Sequence, residues 1–384
     1  MKDIAFVIES LQCGGAEKSL VTLLNVLDYN TFNVDLILFK KGGEFEKFVP
    51  KQVVINYIQP QKESKKIVGF YSRLKFWIKK KVTKQHVAQS YWGVFNHTIS
   101  NFNKNYDIAI AYNQGFATYY TATKMSAKIK FAWLNTDYKN AGYHIKFDLP
   151  YYNCYNNIVC VSKESELSLN GEIQRINKNK LPTIVIKDIS DQDFINKMSI
   201  ENTGFNYNTK FTNILTVGRL AKAKGYHLAV ESCNILVNKG YPVKWYVIGD
   251  GPQRNDIENL IKDKNLQEHF FLLGFKENPY PFMKTCNLYV QTSLFEGLGL
   301  TVIEATILNK PIVTTNFPTA TSIIEHGKTG LICDMNANDI SMNIQKYLDN
   351  DLLKDNVIKN LSLLKNNDKE QSLKKVNELL NNCI

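Results

Sequence analysis

Short apolar runs alternate with helix-length stretches along most of this chain, and the pattern occurs as two consecutive series. The first series starts with the run at residues 4–9, and the second starts with the run at residues 214–217. Short buried runs between helices are typical of βαβ units, which assemble a parallel sheet. The chain has 384 residues and so exceeds the size of about 250–300 residues at which a single core stops growing. The sequence therefore predicts an α/β fold with two Rossmann-like domains.

The division between the two series lies in a polar stretch. Residues 186–210 are rich in Asp, Asn, Ser and Thr and contain no clear strand. Domain boundaries commonly fall in such polar segments. We therefore predict an N-terminal domain over residues 1–190 and a C-terminal domain over residues 205–365. Repeated leucines and alternating charges predict helix in the tail, residues 352–380.

The N-terminus and the cysteines indicate a cytoplasmic protein. The apolar run at residues 1–9 is too short for a signal peptide, and Glu9 ends it. No stretch approaches the ~18–20 apolar residues that span a bilayer. The seven cysteines are scattered without a C-x-x-C pair, which argues against a zinc site and a disulfide framework. We expect free thiols in a reducing compartment.

The basic residues concentrate in one segment. The net charge is +11, and residues 62–84 hold nine Lys or Arg against one acid. Apolar residues interleave there at helical spacing, namely Ile67, Phe70, Tyr71, Leu74, Trp77 and Ile78. This pattern predicts a basic amphipathic helix on an anionic membrane surface, peripheral at the inner face of the membrane. The alternative is a surface helix packed on the N-terminal domain. Nucleic acid is disfavoured as a partner because no recognised binding module accompanies the segment.

Two carboxylates, Glu296 and Glu304, flank a glycine-containing turn that runs into a helix-like stretch. Glycines let backbone N–H groups approach a ligand without a Cβ in the way. The start of a helix offers N–H donors and a positive dipole end to an anion. Carboxylates accept hydrogen bonds from sugar hydroxyls. These properties together predict a nucleotide-sugar site, and the spacing of the two acids resembles the E-x7-E signature of family 4 retaining glycosyltransferases.

The segment VGRLAKAKG, residues 217–225, directly follows the first strand of the second series. Arg219 and Lys224 could clamp a diphosphate there, because Arg offers a planar fork and Lys a point charge. The alternative is two solvated surface cations. The segment looks like G-R-L-x-x-x-K-G of the same family, in which the Arg and Lys stabilise the departing diphosphate.

Two further glycine turns follow predicted strands. Gly14 and Gly15 open the first helix, which suits a phosphate approaching a helix N-terminus, although a simple strand-to-helix turn is the alternative. The sequence GGAE at this point resembles the family's N-terminal loop, which lies over the donor phosphates and sugar. Gly274 and Phe275 follow a strand of the second series. In the family a loop at this position holds the nucleotide base.

The segment FAWLNTDY, residues 131–138, resembles a family segment that ends its strand in W-x-H-x-D, but Asn135 occupies the histidine position. In relatives this histidine contacts the donor sugar. Asn donates and accepts hydrogen bonds but cannot carry a proton as His does. Asp137 matches the family's acid and is expected to contact a sugar hydroxyl. A second departure lies at residues 186–188, Ile-Lys-Asp, where relatives usually carry Y-N or P-N.

The resemblance implies the GT-B architecture, with two Rossmann-like domains facing a central cleft. The N-terminal domain would serve the acceptor, the C-terminal domain would bind the nucleotide sugar, and residues from about 366 to 384 would return to the first domain. The implied reaction moves a sugar, with retention, from a nucleotide-sugar donor, expected to be a UDP-sugar. The expected acceptor is a glycan or a lipid-linked glycan at the cytoplasmic membrane face.

The resemblance also implies roles for individual residues. Arg219, Lys224 and Glu296 are the expected catalytic residues, with the two cations neutralising the leaving diphosphate and Glu296 binding the donor sugar. Glu304 is expected to bind the ribose hydroxyls. The backbone amides expected to hold the sugar or phosphate are those of Leu298, Gly299 and Leu300.

No cofactor and no metal are expected. Asp191 and Asp193 form a D-x-D pair, which is the metal motif of an unrelated glycosyltransferase architecture. The pair lies in the predicted boundary segment, and we interpret it as solvated linker. The six histidines show no metal-ligand spacing.

Two other functions stay open at the level of sequence. The chain could be a catalytically impaired GT-B scaffold or a regulatory partner of an active transferase, and Asn135 motivates this alternative. A GT-B epimerase would act on a UDP-sugar without any acceptor. The donor-side motifs favour transfer over both.

Overall fold

The computed structural model describes residues 1–12, 14–58, 72, 74–77, 85–364 and 368–381. The described residues form two compact units. Unit 1 comprises those of Met1–Ile189 and Glu370–Ile384, and unit 2 comprises Ser190–Lys369. None of the helices in these ranges combines the length and the apolar character that a membrane span requires.

Unit 1 is built on a seven-stranded parallel sheet in the order β3-β2-β1-β4-β5-β6-β7. The strands are β1 (Lys2–Ile8), β2 (Phe32–Leu38), β3 (Val54–Tyr57), β4 (Asn105–Ala111), β5 (Ser126–Leu134), β6 (Asn157–Cys160) and β7 (Thr183–Val185). The strand order reverses between β1 and β4. In an open parallel sheet this switch point is where ligands bind, beyond the carboxyl ends of the strands.

Helices connect the strands of unit 1, as the sequence pattern predicts. They are α1 (Gly15–Leu24), α2 (Val87–Phe95), α3 (Phe116–Lys124), α4 (Ile145–Tyr152) and α5 (Lys163–Arg175). In α1 the buried face includes Leu20, Leu23 and Leu24, at the spacing of an amphipathic helix. The core between sheet and helices is rich in aromatic residues, among them Trp92, Tyr119 and Tyr152.

Unit 2 begins with α6 (Gln192–Met198) and continues into a six-stranded parallel sheet in the order β10-β9-β8-β11-β12-β13. The strands are β8 (Thr212–Val217), β9 (Val243–Ile248), β10 (Phe270–Leu272), β11 (Leu288–Gln291), β12 (Ile312–Thr315) and β13 (Leu331–Cys333). The helices that follow are α7 (Tyr226–Asn238), α8 (Arg254–Asp263), α9 (Tyr280–Thr285), α10 (Leu300–Ile307), α11 (Ala320–Ile323), α12 (Ala337–Leu348) and α13 (Asp351–Ser362). The switch point of this sheet lies between β8 and β11.

The final helix, α14 (Asp368–Asn381), lies mainly with unit 1. Lys2 Nζ donates to the carbonyl oxygen of Leu380 at 2.9 Å, and Lys375 Nζ donates to that of Val185 at 3.1 Å. The chain thus ends against the sheet with which it begins.

The interpretation of Asp191 as solvated linker is corrected by its contacts. Its carboxylate caps the start of α6 by accepting from the Phe194 N–H at 3.1 Å. It also accepts from Lys369 Nζ at 2.6 Å. A carboxylate at a helix N-terminus satisfies an otherwise unpaired donor and suits the helix dipole. The D-x-D pair is therefore the start of a helix, and the polar composition of the stretch reflects that capping.

Most of the predicted basic helix at residues 62–84 lies outside the described residues. Of this segment the structure describes residues 72 and 74–77. Phe76 packs against the rings of Tyr91 and Phe95, with centroid distances of 6.1 and 5.9 Å. Leu74 and Trp77 are 42% and 59% exposed. This short stretch therefore has one aromatic side chain on the domain and two apolar side chains towards solvent.

Candidate functional site

The loops that follow β8 and β11 meet at the switch point of unit 2. The N–H of Leu294 donates to the carbonyl oxygen of Ala223 at 2.7 Å, and the Thr292 hydroxyl donates to that of Lys224 at 2.9 Å. Gly225 has a φ of +61°, and a Cβ on it would fall 2.1 Å from the Thr292 carbonyl oxygen. A left-handed conformation and this close approach both require glycine. The glycine of the predicted motif thus lets the two loops touch.

Lys224 and Glu296, two of the predicted catalytic residues, form an ion pair across this junction. Lys224 Nζ lies 2.6 Å from Glu296 Oε1, and the side chains are 19% and 12% exposed. The Lys224 chain runs along Gly218, where a Cβ would stand 3.3 Å from Lys224 Cε. The motif glycine, the lysine and the glutamate are therefore parts of one local arrangement.

Arg219, the other predicted cation, is placed differently. Its side chain is exposed, and no described residue forms an ion pair or hydrogen bond with the guanidinium. The backbone on either side is fixed, because the Gly218 N–H donates to the Ile248 carbonyl at 2.9 Å and the Leu220 N–H donates to that of Asp250 at 3.0 Å. An Arg on a fixed backbone with an unpaired fork remains available to an anion.

Further polar groups surround the carboxylate of Glu296, and sequence reasoning missed them. The Ser293 hydroxyl donates to Glu296 Oε1 at 2.6 Å, and Gln291 Nε2 lies 3.4 Å from the same oxygen. With Lys224, three donors converge on Oε1. Among the described residues none donates to Oε2 of Glu296. The available signal was the polar run Gln291-Thr292-Ser293, which directly continues the buried strand β11 at the ligand-binding edge.

The predicted amide donors lie at the start of α10. Gly299 caps this helix with a φ of +88°, and a Cβ on it would fall 2.9 Å from Ile323 Cδ1. Leu298 is buried, and its carbonyl oxygen accepts from the Thr319 hydroxyl at 3.3 Å. No described side chain caps α10. The N–H groups of Val302 and Ile303 donate to the Gly299 carbonyl oxygen at 2.9 and 3.2 Å, whereas those of Leu300 and Thr301 make no hydrogen bond to a described residue. Such unpaired donors are what a helix start offers to an anion.

Glu304 is more deeply buried than a ribose-binding role suggests. The residue is 3% exposed, and its Oε1 accepts from the Tyr280 hydroxyl at 3.2 Å. It lies on the buried face of α10, five residues after Gly299. The role of Glu304 towards ribose stays a prediction, which its exchange for alanine and a nucleotide-binding measurement would test.

The loops predicted to hold the base are joined by their backbones. The Gly249 N–H donates to the carbonyl oxygen of Gly274 at 2.9 Å, and Gly274 has a φ of +71°. Gly249 packs on the arginine loop, since a Cβ there would fall 2.0 Å from the Gly218 carbonyl oxygen. Phe275 follows this junction and is half-buried. The structure therefore brings the ends of β8, β9 and β10 together at one edge of the sheet.

In unit 1, the predicted turn at Gly14 and Gly15 joins β1 to α1. Gly14 stands at the N-cap of α1 in an extended conformation, and its carbonyl oxygen accepts from the Lys18 N–H at 3.1 Å. A Cβ on Gly14 would fall 2.1 Å from a carboxylate oxygen of Glu17. The turn is the predicted strand-to-helix connection at the carboxyl edge of the sheet.

Asn135 follows β5 and has a buried amide without partners. Its backbone N–H donates to Gln114 Oε1 at 3.1 Å. Neither its side-chain oxygen nor its side-chain nitrogen is hydrogen-bonded to any described residue, and the side-chain oxygen of Asn113 is in the same state. Leaving a buried polar group unpaired costs about 1–3 kcal/mol. Such groups at the ligand-binding edge of a sheet are the kind that a bound hydroxyl would satisfy.

Asp137 has the contacts of a structural turn residue, and its contact with a sugar hydroxyl stays a prediction. Its carboxylate accepts from the backbone N–H of Asn140 at 3.0 Å and from the side-chain amide of Asn140 at 2.8 Å. It also accepts from the Ser168 hydroxyl of α5 at 2.6 Å. These donors occupy both carboxylate oxygens and fix the loop that follows Asn135.

A second buried acid at the switch point of unit 1 was not predicted. Asp188 accepts from the Ser19 hydroxyl of α1, which in turn lies 3.0 Å from the Tyr112 hydroxyl. Tyr112 stacks on Trp133 with a centroid distance of 5.2 Å. Burial raises the pKa of Asp188 to about 6, although the hydrogen bond from Ser19 acts in the opposite direction. These side chains tie α1 to the end of β7.

The described residues contain no group of three or more His, Cys, Asp or Glu side chains placed to hold a metal ion. The expectation that the protein needs no metal stays a prediction, and a chelator tests it.

Comparison with known proteins bears on this arrangement. Residues 201–363, which make up most of unit 2, match the family model of glycosyl transferases group 1. This part of the chain is similar to glycosyl transferases of that group. The family match contains Lys224, Glu296 and the glycine that caps α10. The resemblance to a glycosyltransferase family, predicted from the motifs, is thereby confirmed.

Two curated relatives illustrate the similarity. The poly(ribitol-phosphate) alpha-N-acetylglucosaminyltransferase of Staphylococcus aureus strain COL is 31% identical over 234 residues, which cover 57% of this chain and 46% of that protein. A Campylobacter jejuni enzyme is 26% identical over 371 residues, 92% of each chain. Its name is N-acetylgalactosamine-N,N'-diacetylbacillosaminyl-diphospho-undecaprenol 4-alpha-N-acetylgalactosaminyltransferase. The chain therefore spans less than half of the first relative and nearly all of the second.

Solved structures share the fold of the family. The crystal structure of Anabaena HepE in complex with UDP and glucose aligns with a TM-score of 0.74 over 100% of both chains, at 17% identity. Identity at this level concerns the fold alone. The predicted GT-B fold class, two parallel-sheet α/β domains, is confirmed.

Proposed function

We propose that this protein is a retaining glycosyltransferase that moves a sugar from a nucleotide-sugar donor, expected to be a UDP-sugar, to a glycan or lipid-linked glycan. The observation that carries the proposal is the Lys224–Glu296 pair beside the glycine-capped start of α10. This arrangement offers a cation and helix N–H groups to a diphosphate, and a carboxylate oxygen to a sugar hydroxyl. It lies at the switch point of the sheet, where parallel α/β domains bind ligands.

The chemistry follows from what these groups can stabilise. The bond between the anomeric carbon and the diphosphate oxygen breaks, and negative charge develops on the departing diphosphate. Lys224 and Arg219 neutralise that charge, which lowers the barrier by electrostatic stabilisation. The acceptor hydroxyl forms the new bond on the face that the diphosphate leaves, and a phosphate oxygen takes its proton. No side chain of this protein acts as a nucleophile in this scheme.

The choice of donor rests on likeness. The HepE structure contains UDP and glucose, and a structure of Staphylococcus aureus TarM, which aligns with a TM-score of 0.70 at 16% identity, also contains UDP. The joined loops at Gly249 and Gly274 offer backbone groups of the kind that would read a base edge. We therefore expect uridine diphosphate to bind more tightly than other nucleoside diphosphates.

The proposed donor site is tested by measuring the thermal stability of the protein with a panel of nucleoside diphosphates and nucleotide sugars, with and without EDTA. Stabilisation by UDP and by one UDP-sugar, unchanged by EDTA, supports a metal-independent donor site. The Arg219→Gln variant should weaken UDP binding, whereas Lys222→Gln, at a variable position of the same motif, should not. If no nucleotide stabilises the protein, the chain is a scaffold and not a transferase.

Transfer is tested with the UDP-sugar that binds. Release of UDP that depends on an added acceptor, and an anomeric configuration retained in the product by NMR, support the proposal. Consumption of the sugar without acceptor would identify a hydrolase or epimerase instead. An inverted product would exclude the retaining mechanism.

We propose that the protein binds its acceptor at an anionic membrane surface. The basic segment at residues 62–84 and the exposed apolar side chains of Leu74 and Trp77 support this. The Campylobacter relative is named for an undecaprenol-linked acceptor, which resides in a membrane. Each Lys or Arg near an anionic surface contributes about 1 kcal/mol to binding. The protein would then be cytoplasmic and peripheral at the inner face of the membrane.

Vesicle sedimentation tests the membrane contact. The wild type should bind vesicles that contain phosphatidylglycerol and should not bind vesicles of pure phosphatidylcholine. Replacing Lys79, Lys80 and Lys81 with Glu should abolish binding. A control variant with the same charge change at exposed lysines of unit 2, namely Lys239, Lys262 and Lys328, should bind as the wild type does. If the variant at Lys79, Lys80 and Lys81 binds vesicles as well as the control variant does, the membrane contact lies outside this segment.

A further inference from the structure

Gln291 is a fully buried polar side chain at the last position of β11, outside the motifs that the sequence offered. Its Oε1 accepts from the Tyr289 hydroxyl at 2.8 Å and from the Thr301 hydroxyl at 3.3 Å. Its Nε2 donates to the Ser293 hydroxyl at 2.7 Å and lies 3.4 Å from Glu296 Oε1. The amide therefore stands between the start of α10 and the carboxylate of Glu296.

The chemistry of its neighbours determines which way this amide points. Hydroxyl groups can donate or accept, so Tyr289 and Thr301 would tolerate either end of the amide. A carboxylate only accepts, so the end near Glu296 must be the NH₂ group. The reversed amide would place two acceptor oxygens against each other in a buried site.

This orientation controls the hydrogen of Ser293. The Ser293 oxygen accepts from Gln291, so its single hydrogen points to Glu296 Oε1, at 2.6 Å. Lys224 donates to that same oxygen. The carboxylate is thus held through one oxygen, and its other oxygen has no donor among the described residues. A carboxylate fixed in this way presents Oε2 in one direction.

We propose that Gln291 is a positioning residue for Glu296, which it orients through Ser293 so that Oε2 meets a hydroxyl of the donor sugar. The inference rests on the function proposed above and adds a residue to it. Gln291 touches neither donor nor acceptor in this scheme. Because Thr301 belongs to the first turn of α10, the same amide also ties the orientation of Glu296 to the helix start that would receive the diphosphate.

The test separates the sugar from the diphosphate. Calorimetry measures the Kd of UDP and the Kd of the UDP-sugar that binds, for the wild type and for Gln291→Leu. This substitution replaces the amide with an apolar side chain of similar size. We expect the Kd of UDP to change by less than about twofold, and the kcat of transfer to fall by about tenfold or more, because Glu296 loses its fixed direction. The sugar-dependent affinity, which is the factor by which the UDP-sugar binds more tightly than UDP, should also be lost in Gln291→Leu.

A double-mutant cycle on the affinity gained from the sugar distinguishes positioning from a general structural effect. If Gln291 acts through Glu296, adding Gln291→Leu to Glu296→Gln should cost nothing further. Thr216→Val removes a buried hydroxyl of β8 that bonds to the Val290 carbonyl oxygen and to Trp245 Nε1 and not to Glu296, and it should leave the sugar-dependent affinity unchanged. Thermal unfolding of each variant checks that it is folded. Gln291→Met serves if the leucine variant fails that check.

The outcomes for the two proposals differ. A wild type that binds no nucleotide sugar overturns the proposed function and this inference together. A wild type that transfers sugar, with a Gln291→Leu variant of equal kcat and equal sugar-dependent affinity, overturns this inference alone. This inference alone is also overturned if the losses of sugar-dependent affinity in Gln291→Leu and Glu296→Gln are additive in the double variant.

Discussion

The ammonium nitrogen of Lys224 lies 2.6 Å from Oε1 of Glu296, although 72 residues separate the two in the sequence. Both side chains are largely withdrawn from solvent, so the pair is screened less than a surface pair. An anion that binds at this site must compete with the Glu296 carboxylate for the Lys224 ammonium group. The same carboxylate repels the anion. Glu296 should therefore oppose the diphosphate and favour the sugar.

The first prediction concerns Glu296→Gln. The amide is neutral, so Lys224 is released to a phosphate and the repulsion disappears. We expect the Kd of UDP to decrease by about two- to fivefold, an energy of the size that partly exposed ion pairs contribute. The kcat of transfer should fall by about 100-fold, because the sugar loses a charged acceptor. Calorimetry with UDP and a steady-state assay measure the two effects.

Opposite signs for binding and turnover are the distinctive result. Lys224→Met supplies the control, since it should weaken UDP binding and turnover together. Weaker UDP binding in Glu296→Gln would mean that Glu296 supports the site as a whole. The competition between carboxylate and diphosphate would then be absent.

The second prediction concerns the glycine that lets the two loops touch. Gly225→Ala places a Cβ 2.1 Å from a backbone oxygen and also strains a left-handed residue. We expect the free energy of unfolding of unit 2 to fall by more than about 3 kcal/mol. Strain of the left-handed conformation costs about 1 kcal/mol of this, and the clash with the backbone oxygen costs the rest. Denaturant unfolding followed by fluorescence measures the change.

Gly240→Ala is the matched control for this substitution. Gly240 has a φ of +83°, and a Cβ on it would meet no atom within 4 Å. Its replacement should therefore cost only the conformational strain, about 1 kcal/mol. Equal losses in the two variants would mean that the loop at Thr292 yields easily and that the contact is not tight.

The sequence predicted the sheets better than the site, for a physical reason. A buried strand is a local pattern, and the predicted run at residues 214–217 lies within β8 and ends at the same residue. The strands β7, β10 and β13 have only three residues each, too few to show a period on their own. The tail predicted as helix over residues 352–380 contains two helices, α13 (Asp351–Ser362) and α14 (Asp368–Asn381).

Pairings between loops were beyond reach from one sequence. The motif named Lys224 and Glu296 separately, and only the strand order brings β8 beside β11. Gln291 was not singled out because a glutamine at a strand end is common, and its four side-chain contacts depend on how the chain turns after β11. Asp137 was assigned a ligand because the family motif contains an acid. That role stays a prediction, and the residues that hold its carboxylate in the structure, Asn140 and Ser168, carry no signal of their own in the sequence.

The third prediction concerns Asn135, whose buried amide has no partner among the described residues. Asn135→Leu removes two unsatisfied polar atoms while keeping the size of the side chain. We expect the free energy of unfolding to rise by about 1 kcal/mol or more, because the cost of burying the amide disappears. Transfer should decrease, since a hydrogen-bonding group at the edge of the sheet is lost. Urea unfolding and the acceptor-dependent release of UDP measure the two effects.

A gain in stability with a loss of activity would identify the amide as a binding group kept at the expense of stability. Asn135→His restores the residue type of the resembled family and should retain activity. A leucine variant with unchanged turnover would show that the amide has no part in binding.

The fourth prediction concerns Asp188 and the pH dependence of stability. Burial raises the pKa of this carboxyl from 3.8 to about 6, so the folded protein binds its proton more tightly than the unfolded chain does. Between pH 4 and pH 6 the folded state therefore carries the extra proton, and the free energy of unfolding falls as the pH rises. Above pH 6 the full cost of the buried charge is present, about 3 kcal/mol from the size of the shift. The neutral Asp188→Asn variant keeps an acceptor for Ser19 and removes this cost.

The variant and the wild type should accordingly be equally stable near pH 4, and the variant should be more stable at pH 7.5. Urea unfolding at both values measures the difference. Ser19→Ala works in the other direction, because Asp188 loses its donor and the charged form becomes still less favourable. A variant that is less stable than the wild type at pH 7.5 would mean that the folded protein prefers the ionised carboxylate. In that case the hydrogen bond from Ser19 would outweigh burial, and α1 would be held to the end of β7 by a charge-assisted bond.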